Sequence, residues 1–593
     1  MGFAVPIAML RLPGLLALCG LTFTACIDED TIEDGQGDAF PNGKADGGID
    51  EGSPEALGVL AVVNDPNATA SSLKADAHVT ARVATNILAH RNGADTKPNT
   101  PDDDRFDTLK ELDDIAYVGP ATLDAFLALA KARGLVKAGP KVEVIFSPQV
   151  AASSHNARIA KMIDAAEHDV DIAIYSYSDA GISTALANAV RRGVRVRFLF
   201  DTASEDRKLT DVAARAASKS GKLEAIGVDV RYVNQILHHK FVIVDGPRDD
   251  KSRATSAKLA MGSANFSSTG ATSFDENTFF VENSAELSAA YQHEFDILWK
   301  GSRDFVGPAT AQGQSTANIT LADAADDAGI EAHFTSANFA SGGADGTTWR
   351  ADKDSNAMAD RWVDAIEHAT KSIHIASTHL RLRPVVDALV AKHQADPSVE
   401  IKLYIDQQEF ISPAGNTSQE RDVQQCLNRA TTTAMHRDCL YNNFLFSKEA
   451  VDAGLDVRFK SYMYRWDATV AIQQHSKYMI VDGKELISGS YNLSMNSEHA
   501  TFENALHVTG SQYGDLVKQY EANFASLWDA NRAALAPLRD TISTASTIPM
   551  VYPPMALSYT EFDALHQLIR ANCSLADSTD FRENPAAHKT CAR

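Results

Sequence analysis

Two stretches of the chain carry the same reactive side chains at the same spacing. The first reads His238-His239-Lys240, then Asp245-Gly246, then Gly262-Ser263-Ala264-Asn265; the second reads His475-Ser476-Lys477, then Asp482-Gly483, then Gly489-Ser490-Tyr491-Asn492. On a β-strand residues two apart share a face, so each imidazole projects beside its lysine while the residue between points away. His239 therefore reads as a packed or exposed neighbour. Two ammonium groups, with Ser and Asn donors, can hold the oxygens of a phosphodiester, whose charge grows as a nucleophile adds to phosphorus. One imidazole can attack phosphorus; the other can protonate the departing alkoxide and later activate water. Each imidazole also needs a carboxylate to fix its tautomer. Glu276 lies 38 residues after His238 and Glu503 lies 28 after His475, each expected to serve the histidine of its own half. The candidate catalytic set is His238, Lys240, Asp245, Glu276, His475, Lys477, Asp482 and Glu503. The phosphate-holding set is Lys240, Ser263, Asn265, Lys477, Ser490 and Asn492.

The elements that position these residues also occur twice. In the first half, apolar strands at Val142 to Phe146, Val170 to Tyr175 and Val194 to Phe200 (ending at Asp201) alternate with amphipathic helices such as that around Arg158 to Glu167. In the second half, Glu331 to Phe334, Ile373 to Ala376 and Ile401 to Ile405 (ending at Asp406) alternate with helices such as that around Ala359 to Ala369. Such alternation marks an α/β sheet covered on both faces. Val228 to Tyr232 and Leu455 to Phe459 precede the two motifs, and Tyr291, Phe295, Leu298 and Trp299 have the spacing of Tyr520, Phe524, Leu527 and Trp528. These last stripes read as core faces of a closing helix in each half. The ten-residue excess between His238 and Glu276 falls in the polar loop Pro247 to Ala257, read as an insertion in a surface hairpin.

The two motifs with their Gly-Ser-x-Asn and Glu companions resemble the phospholipase D superfamily over roughly residues 141 to 533. The resemblance implies a fold of two α/β lobes, each a central mixed sheet flanked by helices, in pseudo-twofold arrangement. It also implies a covalent phosphohistidine intermediate with no metal or cofactor, His238 as nucleophile and His475 as general acid and base. Hydrolysis of phospholipid head groups, with phosphatidyl transfer to an alcohol as a variant, is the expected reaction; an extracytoplasmic, metal-independent nuclease is the alternative. Tyr462, Tyr464 and Trp466 could line a choline site, rim the membrane interface or lie in the core.

Around this body, residues 54–138 read as a small all-α module that resembles paired helix-hairpin-helix units, with helices near Val79 to His90 and Ala121 to Arg133. Tyr117 stands where that motif has the first of its two glycines, and packing or protein docking is the preferred role. The expected divisions are lobes at 141–301 and 331–533, a linker at 302–330 and an appended tail at 534–593. Residues 1–25 have the layout of a lipoprotein-type signal ending at a lipidated Cys26, and 26–53 read as a disordered acidic tether. That implies an exported protein anchored in a bacterial envelope, beside phospholipid. A net charge of -23 disfavours, without excluding, a nucleic-acid partner, and no obligate protein partner is implied. Cys426, Cys439, Cys573 and Cys591 suit structural disulfides, most simply as two local pairs, and lack metal-site spacing.

Overall fold

Strings of β-branched and aromatic residues, broken by turns, build two eight-stranded mixed sheets with the same strand order. In the computed structural model, which describes residues 49, 51, 53–136, 139–201, 205–305, 329–344, 346–441 and 444–593, the first sheet runs edge to edge as Lys141–Ser147, Glu276–Glu282, Lys258–Gly262, Lys240–Val244, Asp169–Ile174, Arg195–Phe200, Asp229–Val233 and Ser302–Asp304. The second runs Ile330–Phe334, Asn504–Val508, Glu485–Gly489, Lys477–Val481, Ser372–Ser377, Glu400–Asp406, Asp456–Met463 and Val551–Ser558. In both, the three strands linked through helices pair in parallel and the rest antiparallel. This is the expected pair of α/β lobes.

Alternation along each strand divides the core. In the first sheet Val170, Ile172, Val196, Phe198, Val242 and Val244 pack beneath the outer helices His155–Asp164 and Ala180–Arg191. The opposite residues, such as Phe241, Ile243, Met261 and Phe279, join Tyr478, Ile480, Leu486 and Leu506 of the second sheet in one shared interior. The closing helices Ala285–Lys300 and Gly514–Trp528 insert Tyr291, Phe295, Trp299, Tyr520 and Phe524 there. The two lobes are thus fused along a continuous apolar layer.

Two expectations need correction. Ser302–Asp304 is the outer strand of the first sheet, not linker, because it pairs with Asp229–Val233. Val551–Ser558 holds the corresponding place in the second sheet, so the chain after 533 is no mere appendage: it completes the lobe, and Phe562, Leu565 and Ile569 of the following helix enter its core. The loop after Asp245 is the expected surface hairpin, joining the antiparallel strands Lys240–Val244 and Lys258–Gly262 and exposed at Asp250, Lys251 and Ser252, while Arg248 at its base is fully buried and pairs with Asp171, itself held by Arg197 at 2.7 Å.

The N-terminal helices Pro54–Val63, Ala70–Asp76, Ala81–Arg91, Leu109–Asp113 and Pro120–Ala132 have their own apolar core. Tyr117 takes φ +74°, a conformation glycine adopts readily. Cys426 is bonded to Cys439 and Cys573 to Cys591. Cys26, the signal-like segment, nearly all of the acidic tether and most of the linker lie outside the described residues. Among the described residues no helix is long and apolar enough to cross a membrane.

Candidate active site

The histidines are delivered by short backbone ladders between the lobes. Ile236–Leu237 pairs in parallel with Thr501–Phe502, and the His238 N–H donates to the Phe502 carbonyl at 3.0 Å. On the other side Asp275 bridges to Gln474, and the His475 N–H donates to the Asp275 carbonyl at 2.9 Å. Each histidine therefore meets the residue that precedes the opposite lobe's glutamate. The consequence is a crossed pairing: His238 Nδ1 lies 2.8 Å from Glu503 Oε2, and His475 Nδ1 lies 2.8 Å from Glu276 Oε1. The expectation that each glutamate serves its own half is thus overturned. With Nδ1 engaged, Nε2 of each ring is left for the substrate.

The Gly-Ser-x-Asn turns build the glutamates' seats. Ser263 Oγ donates to Glu276 Oε2 at 2.6 Å and accepts the Asn277 N–H; Ser490 Oγ donates to Glu503 Oε2 at 2.7 Å and accepts the Asn504 N–H. Both serines are buried and committed, which corrects their assignment as phosphate donors. The preceding glycines are required by backbone crowding, since a Cβ at Gly262 would fall 2.2 Å from the Asn277 carbonyl oxygen and one at Gly489 would fall 2.1 Å from that of Asn504. Asn265 and Asn492 are half-buried, and each side-chain oxygen lacks a hydrogen-bond partner.

Lys240 and Lys477 are buried beside their histidines. Lys240 Nζ donates to the His238 carbonyl at 2.7 Å, and Lys477 Nζ to Thr378 Oγ1 at 2.9 Å and to the His475 carbonyl. Asp245 and Asp482 do not belong to this set. They follow the far ends of the strands, where Asp245 accepts backbone N–H groups of Glu167, His168 and Asp169, and Asp482 those of Thr370, Lys371 and Ser372. Their assignment as catalytic is corrected: they lock a turn. His239 is packed as expected on the shared-interior face, between Glu294 and Asn504. Tyr462 and Tyr464 are core residues.

Several site residues were not singled out from sequence. Asp201 accepts the Leu237 N–H at 3.0 Å and Asp406 the Gln474 N–H at 2.9 Å, so each fixes the residue before a histidine. The available signal was that two equivalent strands both end in Asp. His379, with Nδ1 2.8 Å from the buried Glu409, and Arg381, 2.7 Å from the same carboxylate, have no counterpart in the first half, where Ser176 stands at the position of His379. They line a recess of about 240 Å³ with Tyr175, His238, Asn492 and Thr501.

Burial and mutual repulsion set the electrostatics. Desolvation, then the charges of Lys240 and Lys477, hold His238 well below its ordinary value, and desolvation with the same two lysines does so for His475. Burial pushes Lys240 down to about 8 and Lys477 to about 7, and raises Glu276 and Glu503 to about 7. Each histidine feels the other lobe's lysine, so the four basic groups share one site. A phosphate anion bound among them would relieve that repulsion.

Comparison with known proteins points to one family. The family described as "Cardiolipin synthase, PLD-like domain" matches residues 159–299 and 362–528, just over half of the chain. A phospholipase D of Rickettsia conorii is 32% identical over 151 residues, covering 26% of this chain and 66% of that protein's length. A mitochondrial cardiolipin hydrolase of Danio rerio is 30% identical over 189 residues, covering 28% of this chain and 75% of its own. Among solved structures, Nuc, a phospholipase D family member from Salmonella typhimurium, is 26% identical with a TM-score of 0.23, covering 28% of this chain and 99% of that one. With two complete motifs, two lobes of one topology and a family match across both, the chain belongs to the phospholipase D superfamily of phosphodiesterases.

Proposed function

We propose that the chain hydrolyses the head-group ester of phospholipids through a phosphohistidine intermediate. The observation that carries the reading is the cage of His238, Lys240, His475 and Lys477, with each histidine backed by the opposite lobe's glutamate. In the proposed sequence the lysines hold the phosphate oxygens with the amides of Asn265 and Asn492. His238 Nε2 then attacks phosphorus and a phosphorus–nitrogen bond forms. The bond to the head-group oxygen breaks, and His475, which takes up a proton when the phosphate anion binds between the lysines, gives that oxygen the proton. Neutral His475 next takes a proton from water, whose oxygen displaces His238 and releases phosphatidate. An alcohol in place of water gives phosphatidyl transfer. Phospholipid is favoured over nucleic acid by the net charge of -23 and by the names of the relatives. Anchorage through Cys26 would hold the enzyme at an envelope membrane; palmitate labelling that survives Cys26→Ala would refute that anchor.

The deciding experiment offers purified protein phosphatidylcholine or cardiolipin vesicles and, separately, plasmid DNA. Release of choline or of phosphatidylglycerol with phosphatidate is expected. DNA cutting without lipid turnover would select the nuclease reading, for which the helix-hairpin-helix-like module speaks, and silence on both would overturn a catalytic role.

A further inference from the structure

Away from the phosphate cage, the outer strands of the second sheet gather imidazoles and carboxylates on one face. Strand Ile330–Phe334 pairs antiparallel with Asn504–Val508, placing His507 opposite Glu331, while His333 shares the Glu331 face two residues on. His507 lies beside Ile487 of the next strand, which brings Glu485 alongside. Glu485 is fully engaged: one oxygen is 2.6 Å from His507 Nε2 and the other 2.6 Å from His368 Nε2, at the end of the covering helix. His507 is therefore oriented by a carboxylate through Nε2 and presents Nδ1. His333 Nε2 is closed to solvent and has no hydrogen-bond partner.

We propose that Glu331, His333 and His507 bind a divalent transition-metal ion of the zinc class. Their ligating atoms lie within 4.8 Å of one another. Glu331 Oε2 and His333 Nε2 are 3.4 Å apart, close to the separation of about 3.3 Å that tetrahedral ligands at about 2.0–2.1 Å from zinc require. The rings of His333 and His507 are 6.0 Å apart between centroids, so a small side-chain rotation brings the third ligand in. Glu485 behind His507 is the carboxylate–histidine arrangement that raises ligand basicity and fixes the ring. Two imidazoles with one carboxylate select zinc, nickel or copper over calcium and magnesium. Arg361 faces His333 and opposes a cation; the carboxylates of Glu331 and Glu485 offset it. Strand Asn504–Val508 continues directly from Glu503, so a bound ion would clamp the strand that carries the partner of His238.

The test uses untagged, chelator-washed full-length protein titrated with cobalt(II), following its visible absorption, then zinc. One cobalt per chain, displaced by zinc, is expected. Affinity should fall at least about 10-fold in His333→Ala, His507→Ala and Glu331→Gln, with circular dichroism unchanged. It should hold in His90→Ala, which removes another histidine with acidic neighbours, His90 with Asp104 and Glu111. No cobalt spectrum at millimolar concentration, or undiminished affinity in Glu331→Gln or His333→Ala, would overturn the site. Glu331 is the most exposed ligand, so the glutamine variant keeps the test decisive if a histidine variant fails to fold.

Discussion

In the free enzyme Lys240 and Lys477 sit where burial opposes their charge, with values of about 8 and about 7. As pH rises through that window they lose protons, and with them the cationic hold on phosphate. The account predicts that kcat/KM, which reports the free enzyme, begins to fall above about pH 7, as Lys477 loses its proton, and falls further above about pH 8, as Lys240 does. The value of kcat should persist to higher pH, because bound phosphate raises both lysines again. A kcat/KM flat from pH 7 to 9 would count against it. Much at this scale was legible, because His-x-Lys spacing on a strand fixes a shared face without knowledge of the fold. The serines were misread: their hydroxyls are suited to phosphate, and only the tertiary approach of Glu276 and Glu503 shows them to be occupied. His379 and Arg381 escaped notice because nothing repeats them.

At the level of elements, the turn residues separate into two classes that sequence had merged. Asp245 and Asp482 hold three backbone amides each, far from the histidines. Asp245→Ala is predicted to lower stability by about 1–3 kcal/mol while leaving kcat within a few-fold, as chemical denaturation and steady-state assays would read. A large loss of kcat at full stability would restore a catalytic role. Gly489→Ala drives a Cβ toward the Asn504 backbone; displacing Ser490 and Glu503, it should cost on the order of 10²-fold or more in kcat, a small misplacement at a preorganised site being that expensive. The strands, the closing helices and their apolar stripes could be read from periodicity. The outer strand Val551–Ser558 could not: Pro553 and Pro554 mask it, and an edge strand tolerates proline where a central one does not.

Across the whole molecule, duplication predicted two equivalent half-sites, and the sheets bear that out strand for strand. What duplication cannot reveal is that the halves exchange parts. His238 and Glu503 are 265 residues apart, His475 and Glu276 199, and no local pattern links them. Neither lobe holds a histidine and its carboxylate together. Residues 49–305 or 329–593 expressed singly should therefore be inactive, and regain turnover only when combined; activity in one fragment would refute the exchange. The most direct test traps the covalent intermediate in single-turnover reactions with phosphate-labelled substrate. In His475→Asn protein, adduct should accumulate on His238. Adding Glu503→Gln should slow its formation on the order of 10²- to 10⁴-fold, as loss of a histidine's carboxylate does elsewhere, whereas adding Glu276→Gln should change it little, its histidine being already gone. The opposite ranking, with Glu276→Gln the damaging change, would contradict the crossed site.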